Sequence, residues 1–489
     1  MYIKQLLEKA CITHSYELYN HPINSLKDDS KSVVNNDVFF AIKGLHVDGK
    51  DFIIEAINNG AKTIVYEDEI RKEFHHINYI KVINIKRVLA LFCKIYYNDI
   101  TKKIKIIGVT GTNGKTTIST LLLDYLSYSG NDCLLIGTNG IYFKDEHYYT
   151  SNTTINILHT YDVLKEAIKK GAKYLIMEVS SIGIREARVL YFDFDIVILT
   201  NITHDHLDYH KNITDYKFSK AYLLWSVERN PNKAVIINGD DESFTFLSSL
   251  IKANTLTYSI KNESEYKATN INKNLYNSEF CVDIRNNRYN IKSSLVGGFN
   301  IYNILAVLAT VDFLKEDILA FIEFLRIYVS VSGRMNKIFY KNRTIIVDFA
   351  HTPSSVSNVL SSLKDFTNHK ITVVIGCGGN RDTSKRSEIA EIALRYANKV
   401  IFTTDNPRDE DPMSIINDMI KGLHYGNYEV ILDRKDAIIK ALDDSYHDEV
   451  IAILGKGSER SQIINGIKFP FSDKEVVYSW INKNSLKEF

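Results

Sequence analysis

One segment, from Lys103 to Gly130, constrains the fold more than any other part of this 489-residue chain. It begins with KIKIIGV, a run of apolar and β-branched residues that is typical of a buried strand. The strand leads directly into TGTNGKTT and then into ISTLLLDYLSYSG, which predicts a helix that ends at the glycine. A strand, a glycine-containing loop and a helix in direct succession are typical of parallel β-sheets. The segment therefore predicts the α/β fold class.

The loop of this segment has the composition of a phosphate-binding loop. It consists of Gly111, Thr112, Asn113, Gly114, Lys115, Thr116 and Thr117. Small residues let backbone N–H groups curl around phosphate oxygens, and the positive end of the following helix adds to the attraction. Lys115 would compensate the charge of the β- and γ-phosphates, and the Thr116 hydroxyl would bind Mg²⁺. The usual spacing places a further glycine where this chain has Val109, so the loop is of a shorter kind.

Short apolar runs elsewhere predict strands that alternate with helices along the whole chain. Near the N-terminus the predicted strands are Val38–Ile42, Thr63–Tyr66 and Tyr79–Val82, with a helix at Phe52–Asn59. After the phosphate loop they are Cys133–Ile136, Tyr174–Met177 and Ile196–Leu199. In the last third they are Thr344–Val347, Ile371–Ile375, Lys399–Phe402, Glu429–Leu432 and Val450–Leu454.

These patterns predict three α/β domains, at residues 1–100, 101–331 and 332–489. The length alone supports about three domains of roughly 150 residues each. For the central domain we expect a mostly parallel sheet that is covered on both faces. For the last domain we expect a doubly wound sheet. The polar segment Asn262–Lys292 predicts a peripheral hairpin before that last domain.

The charge and cysteine content exclude several classes of protein. With 60 basic and 59 acidic side chains the net charge is +1, so no global field favours nucleic acid or an anionic membrane surface. No apolar run reaches the roughly 18 residues of a membrane span, and the first residues lack the apolar core of a signal peptide. Five cysteines without CxxC spacing indicate neither a disulfide framework nor a zinc site. We therefore expect a cytoplasmic protein that binds neither nucleic acid nor membranes.

A series of motifs, spread over most of the chain, resembles the Mur ligase family. The motifs are KDDSKSV near residue 30, GTNGKTT, SNTT at 151–154, MEVSSIGIREARV at 177–189, TNITHDHLDYH at 200–210, GGFNIYN at 297–303, SGRM at 332–335, DFAHTP at 348–353, GCGGNRDTSKR at 376–386, DNPRDEDP at 405–412 and GKGSE at 455–459. The short phosphate loop is also similar to that of folylpolyglutamate synthetases. Those relatives do not share KDDSKSV or DNPR in this form, so the Mur ligases are the better match.

The resemblance implies a three-domain enzyme that uses ATP to form an amide bond. Such a ligase activates a carboxylate as an acyl phosphate, and an amine then displaces phosphate through a tetrahedral intermediate. Within the family, the motifs resemble those of ligases that add meso-diaminopimelate to the D-Glu of UDP-MurNAc-L-Ala-D-Glu in peptidoglycan precursor synthesis. We therefore expect ATP and Mg²⁺ as cofactors, these two molecules as substrates, and a monomer that closes on its ligands.

The resemblance also implies catalytic roles for Lys115, Glu178, His206 and Lys220. The γ-phosphate and the attacking carboxylate repel each other, so cations must cancel the charge that concentrates in the transition state. Glu178 and His206 match the family's ligands for a second Mg²⁺, and Thr116 is the expected ligand in the phosphate loop. Lys220 matches a lysine that the family carries as N6-carboxylysine, formed with CO₂. That carbamate would act on the metal side of the site.

Further residues match positions that contact ligands in the family. Those near the nucleotide are Asn303, Arg334 and Asp348. Those near the uridine diphosphate are Ser30 and His46, and those near the muramoyl dipeptide are Asn152, Thr153, Thr154, Ser180, Glu186 and Arg188. Those in the diamino-acid pocket are Arg381, Asn406, Pro407, Arg408, Gly455 and Glu459. Arg188 and Arg408 suit these places because a guanidinium grips a carboxylate through two parallel hydrogen bonds.

Several residues depart from the family's pattern, among them Ile182, Glu186, Asn380 and Ser458. Glu186 places an acid where an acidic peptide should dock, which leaves the acceptor open. The alternatives are a ligase that adds L-lysine or another amine to a related UDP-peptide, and a catalytically silent nucleotide-binding paralogue. The arginine of DNPR favours meso-diaminopimelate, because the second carboxylate of that amino acid needs a cation. The intact phosphate-loop lysine argues against silence.

Overall fold

The computed structural model describes residues 1–13, 17–44, 47–70, 74–150, 152–203, 205, 209–227, 229–285, 287–423, 426–446 and 448–485. The chain divides into two compact units. The first comprises Met1–Val109, Leu126–Val197 and Tyr222–Glu228, and the second comprises Thr110–Tyr125, Ile198–Ala221 and Arg229–Phe489. The finer division into three domains stays a prediction. In the described ranges no helix is both long and apolar enough to cross a membrane.

The N-terminal part of the first unit is a small parallel sheet with helices. Its strands are β1 (Leu26–Lys27), β2 (Val38–Phe40), β3 (Thr63–Tyr66) and β4 (Asn78–Lys81), paired in that order. The helices are α1 (Ile3–Lys9), α2 (Ile53–Asn58) and α3 (Ile85–Tyr96), and short 3₁₀ helices lie at Ser30–Ser32, Gly49–Phe52 and Ile100–Lys103. The strands and the helix predicted here are confirmed; β3 has the predicted ends, and the ends of the others differ by at most two residues.

The strand before the phosphate loop belongs to a second, mixed sheet of the first unit. Its strands are β5 (Lys105–Thr110), β6 (Cys133–Gly137), β7 (Gly140–Phe143), β8 (Glu146–Tyr148) and β9 (Tyr174–Glu178). Along the sheet the order is β5-β9-β6-β7-β8. The first three strands are parallel, as predicted, whereas β7 and β8 add antiparallel pairs at the edge. The helices α5 (Ile157–Lys169) and α6 (Ser181–Arg185) belong to the same unit. Helix α4 (Lys115–Tyr128) lies mostly in the second unit, and β10 (Ile196–Leu199) is divided between the two units.

The second unit continues with parallel strands that lead into an antiparallel meander. The elements are α7 (Ile213–Trp225), β11 (Ala234–Asn238), α8 (Phe244–Ser248), β12 (Asn254–Ser259), β13 (Tyr266–Lys273), β14 (Ser278–Ile284), β15 (Asn287–Ser293), α9 (Gly298–Leu314) and α10 (Ile318–Ile327). Strands β11, β12 and β13 pair in parallel, and β13, β14 and β15 are antiparallel. The hairpin predicted at Asn262–Lys292 is therefore present, and it extends a sheet.

The last part of the second unit is a doubly wound sheet, as predicted. Its elements are β16 (Asn336–Tyr340), β17 (Arg343–Asp348), α11 (Pro353–Phe366), β18 (Ile371–Ile375), α12 (Lys385–Tyr396), β19 (Lys399–Phe402), α13 (Pro412–Ile420), β20 (Tyr428–Val430), α14 (Arg434–Asp444) and β21 (Val450–Leu454). A hairpin of β22 (Ser461–Ile464) and β23 (Ile467–Pro470) and the helix α15 (Asp473–Ser485) follow. The strand order is β16-β17-β21-β18-β19-β20, and β16 alone is antiparallel within this sheet.

Successive buried strand residues of this last sheet point to opposite faces and form two separate apolar clusters. Ile346 and Val373 pack with α11, α12 and α13, whereas Ile345 and Val374 pack with α14 and α15. Both faces are therefore covered, which is why the strands are apolar without alternation. The carboxyl ends of the parallel strands β17, β18, β19 and β21 share one edge, where open sheets of this kind bind ligands. The DFAHTP, GCGGNRD, DNPR and GKGSE motifs each begin at the end of one of these strands.

Candidate active site

The phosphate loop is too closely packed to accept side chains at its two glycines. Gly111 has φ +140°, and a Cβ there would lie 1.8 Å from the Thr200 hydroxyl oxygen. Gly114 has φ +90°, and a Cβ there would lie 2.6 Å from Asn303 Oδ1. The Thr200 hydroxyl also donates to the carbonyl of Asn113 at 2.6 Å, which fixes the curl of the loop. These contacts explain the sequence GTNG, and they place Asn303 against the loop as the sequence predicts.

Two predicted cations lie against this loop: Lys115, predicted to compensate phosphate charge, and Arg334, predicted to contact the nucleotide. Lys115 folds back and donates from Nζ to the carbonyls of Gly111 and Thr112, both at 2.8 Å. Arg334 donates from Nη2 to the Thr116 hydroxyl at 3.0 Å. Two positive side chains therefore border the point where the helix α4 begins. This arrangement suits a polyanion, because the N–H groups at a helix start add to the attraction.

Asp348 lies at the end of β17 and is almost completely buried. Its carboxylate accepts hydrogen bonds from the backbone N–H groups of Met335, at 2.6 Å, and Ala350, at 2.7 Å. Burial raises the pKa of this carboxyl, while Arg334 and the two N–H donors oppose the rise. The structure therefore brings Asp348 and Arg334 together, as the sequence predicts.

A cavity of about 1140 Å³ opens beside the loop within the second unit. Its lining includes all the predicted nucleotide residues outside the loop, together with Asn113, Gly114 and Thr117 from the loop itself. Ligand cavities are usually about 300–1,000 Å³, so this one has room for a nucleoside triphosphate. The position and the chemistry of its walls agree with a site for an anionic nucleotide.

The sequence analysis missed Asp240, which lines the same cavity. Its carboxylate accepts from the backbone N–H groups of Ile260, Lys261 and Asn262 at 2.7 to 2.8 Å, and from the Tyr302 hydroxyl at 2.8 Å. Burial acts to raise the pKa of Asp240, but these donors outweigh it and lower the pKa. The available signal was its place in NGDD, directly after the buried strand β11.

Lys220 is completely enclosed, which an ordinary helix lysine is not. Its Nζ donates to the carbonyl of Gly111 at 3.0 Å and lies 4.6 Å from the centre of the Tyr216 ring. Burial is the main cause of a pKa well below the usual range of lysine, and the nearby Lys115 lowers it further, while Asp205 opposes the shift. The structure thus places Lys220 directly beneath the phosphate loop.

The predicted dipeptide residues of the first unit form a hydrogen-bonded cluster around Glu178. The Glu178 carboxylate accepts from the backbone N–H of Thr138 at 3.1 Å and from its hydroxyl at 2.8 Å. Thr153 meets the same hydroxyl at 3.0 Å. Thr154 donates to the carbonyl of Glu178 at 2.9 Å, and Arg188 donates from Nη1 to the carbonyl of Thr154 at 2.8 Å.

Ser180 completes this cluster at the start of the helix α6. Its hydroxyl accepts from the backbone N–H of Gly183 at 3.0 Å, and its own N–H donates to the Thr154 hydroxyl at 2.9 Å. Gly183 has no room for a side chain, because a Cβ there would lie 2.7 Å from Thr154. Hydrogen bonds therefore fix the segment around Thr154 to the turn that carries SSIG.

The unexpected acid Glu186 forms an ion pair with Lys86, which lies on α3 of the same unit. Its charge is therefore compensated within the protein, which the spacing of the motif alone did not indicate. Ser30 is buried, and its hydroxyl donates to Glu55, whereas Asn152 is exposed.

The predicted diamino-acid residues gather at the carboxyl ends of β19 and β21. Asn406 is buried and donates from Nδ2 to Glu459 Oε2 at 2.8 Å. Arg408 is partly buried with φ +53°, and its Nη1 donates to the carbonyl of Gly379 at 2.6 Å. Burial and the neighbouring Arg381 lower the pKa of the Arg408 guanidinium, while Glu459 opposes the shift. Arg408 therefore lies among the residues of the predicted diamino-acid pocket and is not an exposed turn residue.

Three other predicted residues frame this pocket. Gly455 has φ +117°, and a Cβ there would lie 2.6 Å from Asp405 Oδ2, so only glycine fits. The carbonyl of Pro407 accepts from the N–H of Glu410 at 3.0 Å and lies closely against Gly379. Arg381 itself is exposed to solvent, at the end of the GCGGNR segment. The structure thus brings these predicted residues near one another, and their role as a diamino-acid pocket stays a prediction.

Two predicted site residues, His46 and His206, lie outside the described residues. Among the residues that the structure describes, no group of three or more His, Cys, Asp or Glu side chains could hold a metal ion. The predicted set of Thr116, Glu178 and His206 contains one hydroxyl, one carboxylate and one imidazole. Oxygen ligands of this kind suit Mg²⁺, which commonly uses only one or two protein carboxylates besides phosphate oxygens and water.

Comparison with protein families matches three consecutive stretches of the chain. Residues 22–97 match the Mur ligase family catalytic domain, 109–311 the Mur ligase middle domain, and 333–457 the Mur ligase glutamate ligase domain. The α/β fold, the phosphate loop and these matches define a nucleotide-dependent ligase. The chain belongs to the Mur ligase family.

Curated relatives cover the chain from end to end. The protein named UDP-N-acetylmuramoyl-L-alanyl-D-glutamate--2,6-diaminopimelate ligase in Oceanobacillus iheyensis is 38% identical, with 100% of this chain and 99% of the relative covered. The protein of the same name in Clostridium tetani is 36% identical, with 98% of each chain covered.

Solved structures share the fold of this chain. A structure of a UDP-N-acetylmuramoyl-L-alanyl-D-glutamate--2,6-diaminopimelate ligase aligns with a TM-score of 0.67 and 30% identity, covering 95% of this chain and 96% of the other. The MurF ligase of Thermotoga maritima, solved in complex with ADP, aligns with a TM-score of 0.64 and 19% identity, covering 95% and 98%. The second comparison shows the shared fold alone.

Proposed function

We propose that this protein joins meso-diaminopimelate to the D-Glu carboxylate of UDP-MurNAc-L-Ala-D-Glu, with conversion of ATP to ADP and phosphate. The observation that carries the proposal is the pocket in which the cation of Arg408 and the carboxylate of Glu459 occur together. The names of the full-length relatives agree with it. The enzyme acts as a monomer in the cytoplasm, where five free cysteines are stable.

The reaction has two steps. The D-Glu carboxylate attacks the γ-phosphorus of ATP, the bond to the bridging oxygen breaks, and ADP leaves. The amine of the incoming amino acid then attacks the acyl carbon, phosphate leaves, and the nitrogen loses a proton. Because the first step brings two anions together, its barrier falls when fixed cations lie where the charge concentrates.

The phosphate loop, Lys115 and Arg334 supply that compensation on the protein side. Lys115 donates to two loop carbonyls, and these contacts can be exchanged for phosphate oxygens by rotation of one flexible side chain. Arg334 already lies at Thr116, where the helix begins. We assign the cavity beside the loop to the nucleotide.

Mg²⁺ would be held by Thr116, Glu178 and His206, of which the hydroxyl and the carboxylate supply the oxygen donors that a hard cation prefers. The ion neutralises phosphate charge when it is bound. Glu178 is prepared for this role because the backbone N–H and the hydroxyl of Thr138 fix its carboxylate. The charge of that carboxylate then lies at a single defined place.

Lys220 is proposed to carry a carbamate on Nζ. A lysine must lose its proton before it attacks CO₂, and the enclosed position under the phosphate loop favours the neutral amine. The product is an anion with two oxygens, which can act on the metal side of the site.

The acceptor peptide is assigned to the first unit. Thr153, Thr154, Ser180 and Arg188 form the cluster that faces it, and Ser30 and His46 are assigned to the uridine diphosphate. The guanidinium of Arg188 is anchored through Nη1, so its orientation is set before a carboxylate arrives. Glu186 does not repel the peptide, because Lys86 compensates its charge.

The first prediction concerns Lys115→Ala. Amide formation should fall at least about a hundredfold, because one charge-stabilising group is lost from the transition state. The melting temperature should stay within the range of a surface substitution, since Lys115 contacts loop carbonyls and no core side chain is removed. Lys105→Ala is the matched control, because that lysine is exposed at the start of β5, the strand that precedes the phosphate loop. Activity above about a tenth of the parent's would rule out the phosphate-loop assignment.

The second prediction concerns Lys220→Ala. Activity should fall at least about a hundredfold, and acetate or propionate should restore part of it, because a small carboxylate can occupy the space that the carbamate leaves. Added bicarbonate should not restore activity in this variant. The parent enzyme with the same acids serves as the control and should show no increase. Full activity of the alanine variant would contradict the carbamate.

The third prediction concerns the choice between meso-diaminopimelate and L-lysine, which lacks the distal carboxylate. Arg408 would bind that carboxylate through two hydrogen bonds. In the parent, kcat/KM should favour diaminopimelate by up to about 10⁴-fold, since with lysine the buried arginine stays without its partner. In Arg408→Ala this ratio should collapse toward one.

The control for this comparison is Arg395→Ala, because Arg395 is an exposed arginine on α12, a helix that packs on the last sheet. It should keep the ratio of the parent. If the parent accepts lysine as well as diaminopimelate, or if Arg408→Ala keeps the parent's ratio, the pocket assignment is wrong. ADP release without amide formation under all conditions would instead identify a hydrolytic paralogue, and no ADP release under any condition would identify a silent one.

A further inference from the structure

Lys456 has no role in the reaction as described so far, yet its side chain is completely buried. It lies in GKGSE, directly after the strand β21. An ammonium without partners is costly to bury, so buried lysines are found where their charge and donors are used. The partners of Lys456 are two residues of the diamino-acid pocket.

Lys456, Asn406 and Glu459 form a closed triangle of hydrogen bonds. Lys456 Nζ donates to Glu459 Oε2 at 2.7 Å and to Asn406 Oδ1 at 3.0 Å. Asn406 Nδ2 donates to the same Glu459 Oε2 at 2.8 Å. Each of the three polar groups is therefore held by the other two.

The triangle determines which way the Asn406 amide faces. Its Oδ1 accepts from Lys456 and also from the backbone N–H of Ile463 at 3.0 Å. Two donors around one oxygen leave Nδ2 to face Glu459, because a rotated amide would place N–H groups against N–H groups. If Lys456 is removed, one of the two determinants of this orientation is lost.

The triangle also sets the charge that the pocket offers to a ligand. Glu459 keeps about a third of its side chain exposed, so a ligand can reach it, but Lys456 compensates its negative charge from the buried side. The neighbouring Arg408 and Arg381 add positive charge, and Asp405 and Asp409 add negative charge. A bare ammonium therefore gains little at Glu459. A group with both a carboxylate and an ammonium gains at the arginine and at the carboxylate together.

We propose that Lys456 is a positioning residue that sets the choice of amino acid, by orienting Asn406 and Glu459 and by cancelling the charge of Glu459. This inference rests on the proposed addition of a diamino acid. It assigns to Lys456 a contribution to the rejection of lysine-like amines, in addition to that of Arg408. Lys456 acts through its two neighbours and does not itself need to touch the substrate.

The test is the variant Lys456→Met, which keeps the length of the side chain and removes its charge and donors. KM for meso-diaminopimelate should rise about tenfold or more, because hydrogen bonds that involve charged groups are lost. At saturation kcat should change much less, and KM for ATP and for the UDP-peptide should stay the same. The ratio of kcat/KM between diaminopimelate and lysine should fall about tenfold, since Glu459 is then free to pair with an ammonium.

Lys440→Met is the matched control. Lys440 lies on α14 of the same sheet and pairs at the surface with Asp444 at 2.9 Å. In this control, kcat, the KM values for meso-diaminopimelate, ATP and the UDP-peptide, and the ratio between the two amino acids should equal those of the parent. A general structural effect of Lys456→Met would raise KM for all three substrates together and leave the ratio unchanged, and that result would overturn the inference.

A double variant keeps the test decisive if Lys456→Met folds poorly. Lys456→Met/Glu459→Gln removes both charges, so no buried charge is left alone. If Lys456 acts through its hydrogen-bonded neighbours, the effects of the two substitutions on the amino-acid ratio should be clearly less than additive. Full additivity of the two effects in the double variant would overturn the inference.

Different results would contradict the proposed function and the role of Lys456. If the parent enzyme ligates no diaminopimelate, the proposed function is wrong and this inference falls with it. If the parent does so and Lys456→Met keeps the parent's ratio, only the role of Lys456 is wrong.

Discussion

Close packing around Gly111 and Gly114 is the constraint on which the rest of the site depends. Side chains at these positions would collide with Thr200 and Asn303, so the loop backbone approaches both neighbours directly. That approach leaves the start of α4 open to an anion and places Lys220 within hydrogen-bond distance of the Gly111 carbonyl. Arg334, which lies just before β16 in the chain, then donates to the Thr116 hydroxyl. One tight loop thus positions the cations that phosphoryl transfer requires.

The last sheet also holds two opposite charges, those of Arg408 and Glu459, near each other without complete neutralisation of either charge. Arg408 is anchored by a backbone carbonyl, and Glu459 by an amide and a buried ammonium. Both anchors come from segments that follow parallel strands, so the rigidity of the sheet is passed to the charged groups. A zwitterionic group fits such a pocket better than a simple cation does.

The sequence predicted the repeating elements well because apolar runs and glycine loops are local signals. The strands β3, β10, β18 and β19 have the predicted ends, and the phosphate loop lies between a strand and a helix as expected. The edge hairpin of β7 and β8 was missed, because both strands are short and β8, with the sequence EHY, is polar and mostly exposed.

The predicted site residues were located by motifs, whereas their partners were not. Lys86 compensates Glu186 from a position 100 residues away in the chain, and no local pattern reports such a pair. Asp240 and Lys456 were missed for a related reason. Each stands inside a recognisable turn, but only burial and three-dimensional neighbours distinguish it from a solvated charge.

The central claim is that ATP cleavage is coupled to amide formation between two particular substrates. The most direct measurement is ADP release, followed together with product mass, in reactions from which the UDP-peptide or the amino acid is omitted in turn. The account predicts one ADP per amide, and a product whose mass is that of UDP-MurNAc-L-Ala-D-Glu plus meso-diaminopimelate less one water. Amide formation with lysine at the same rate, or ADP release that does not depend on the amine and yields no amide, would contradict it.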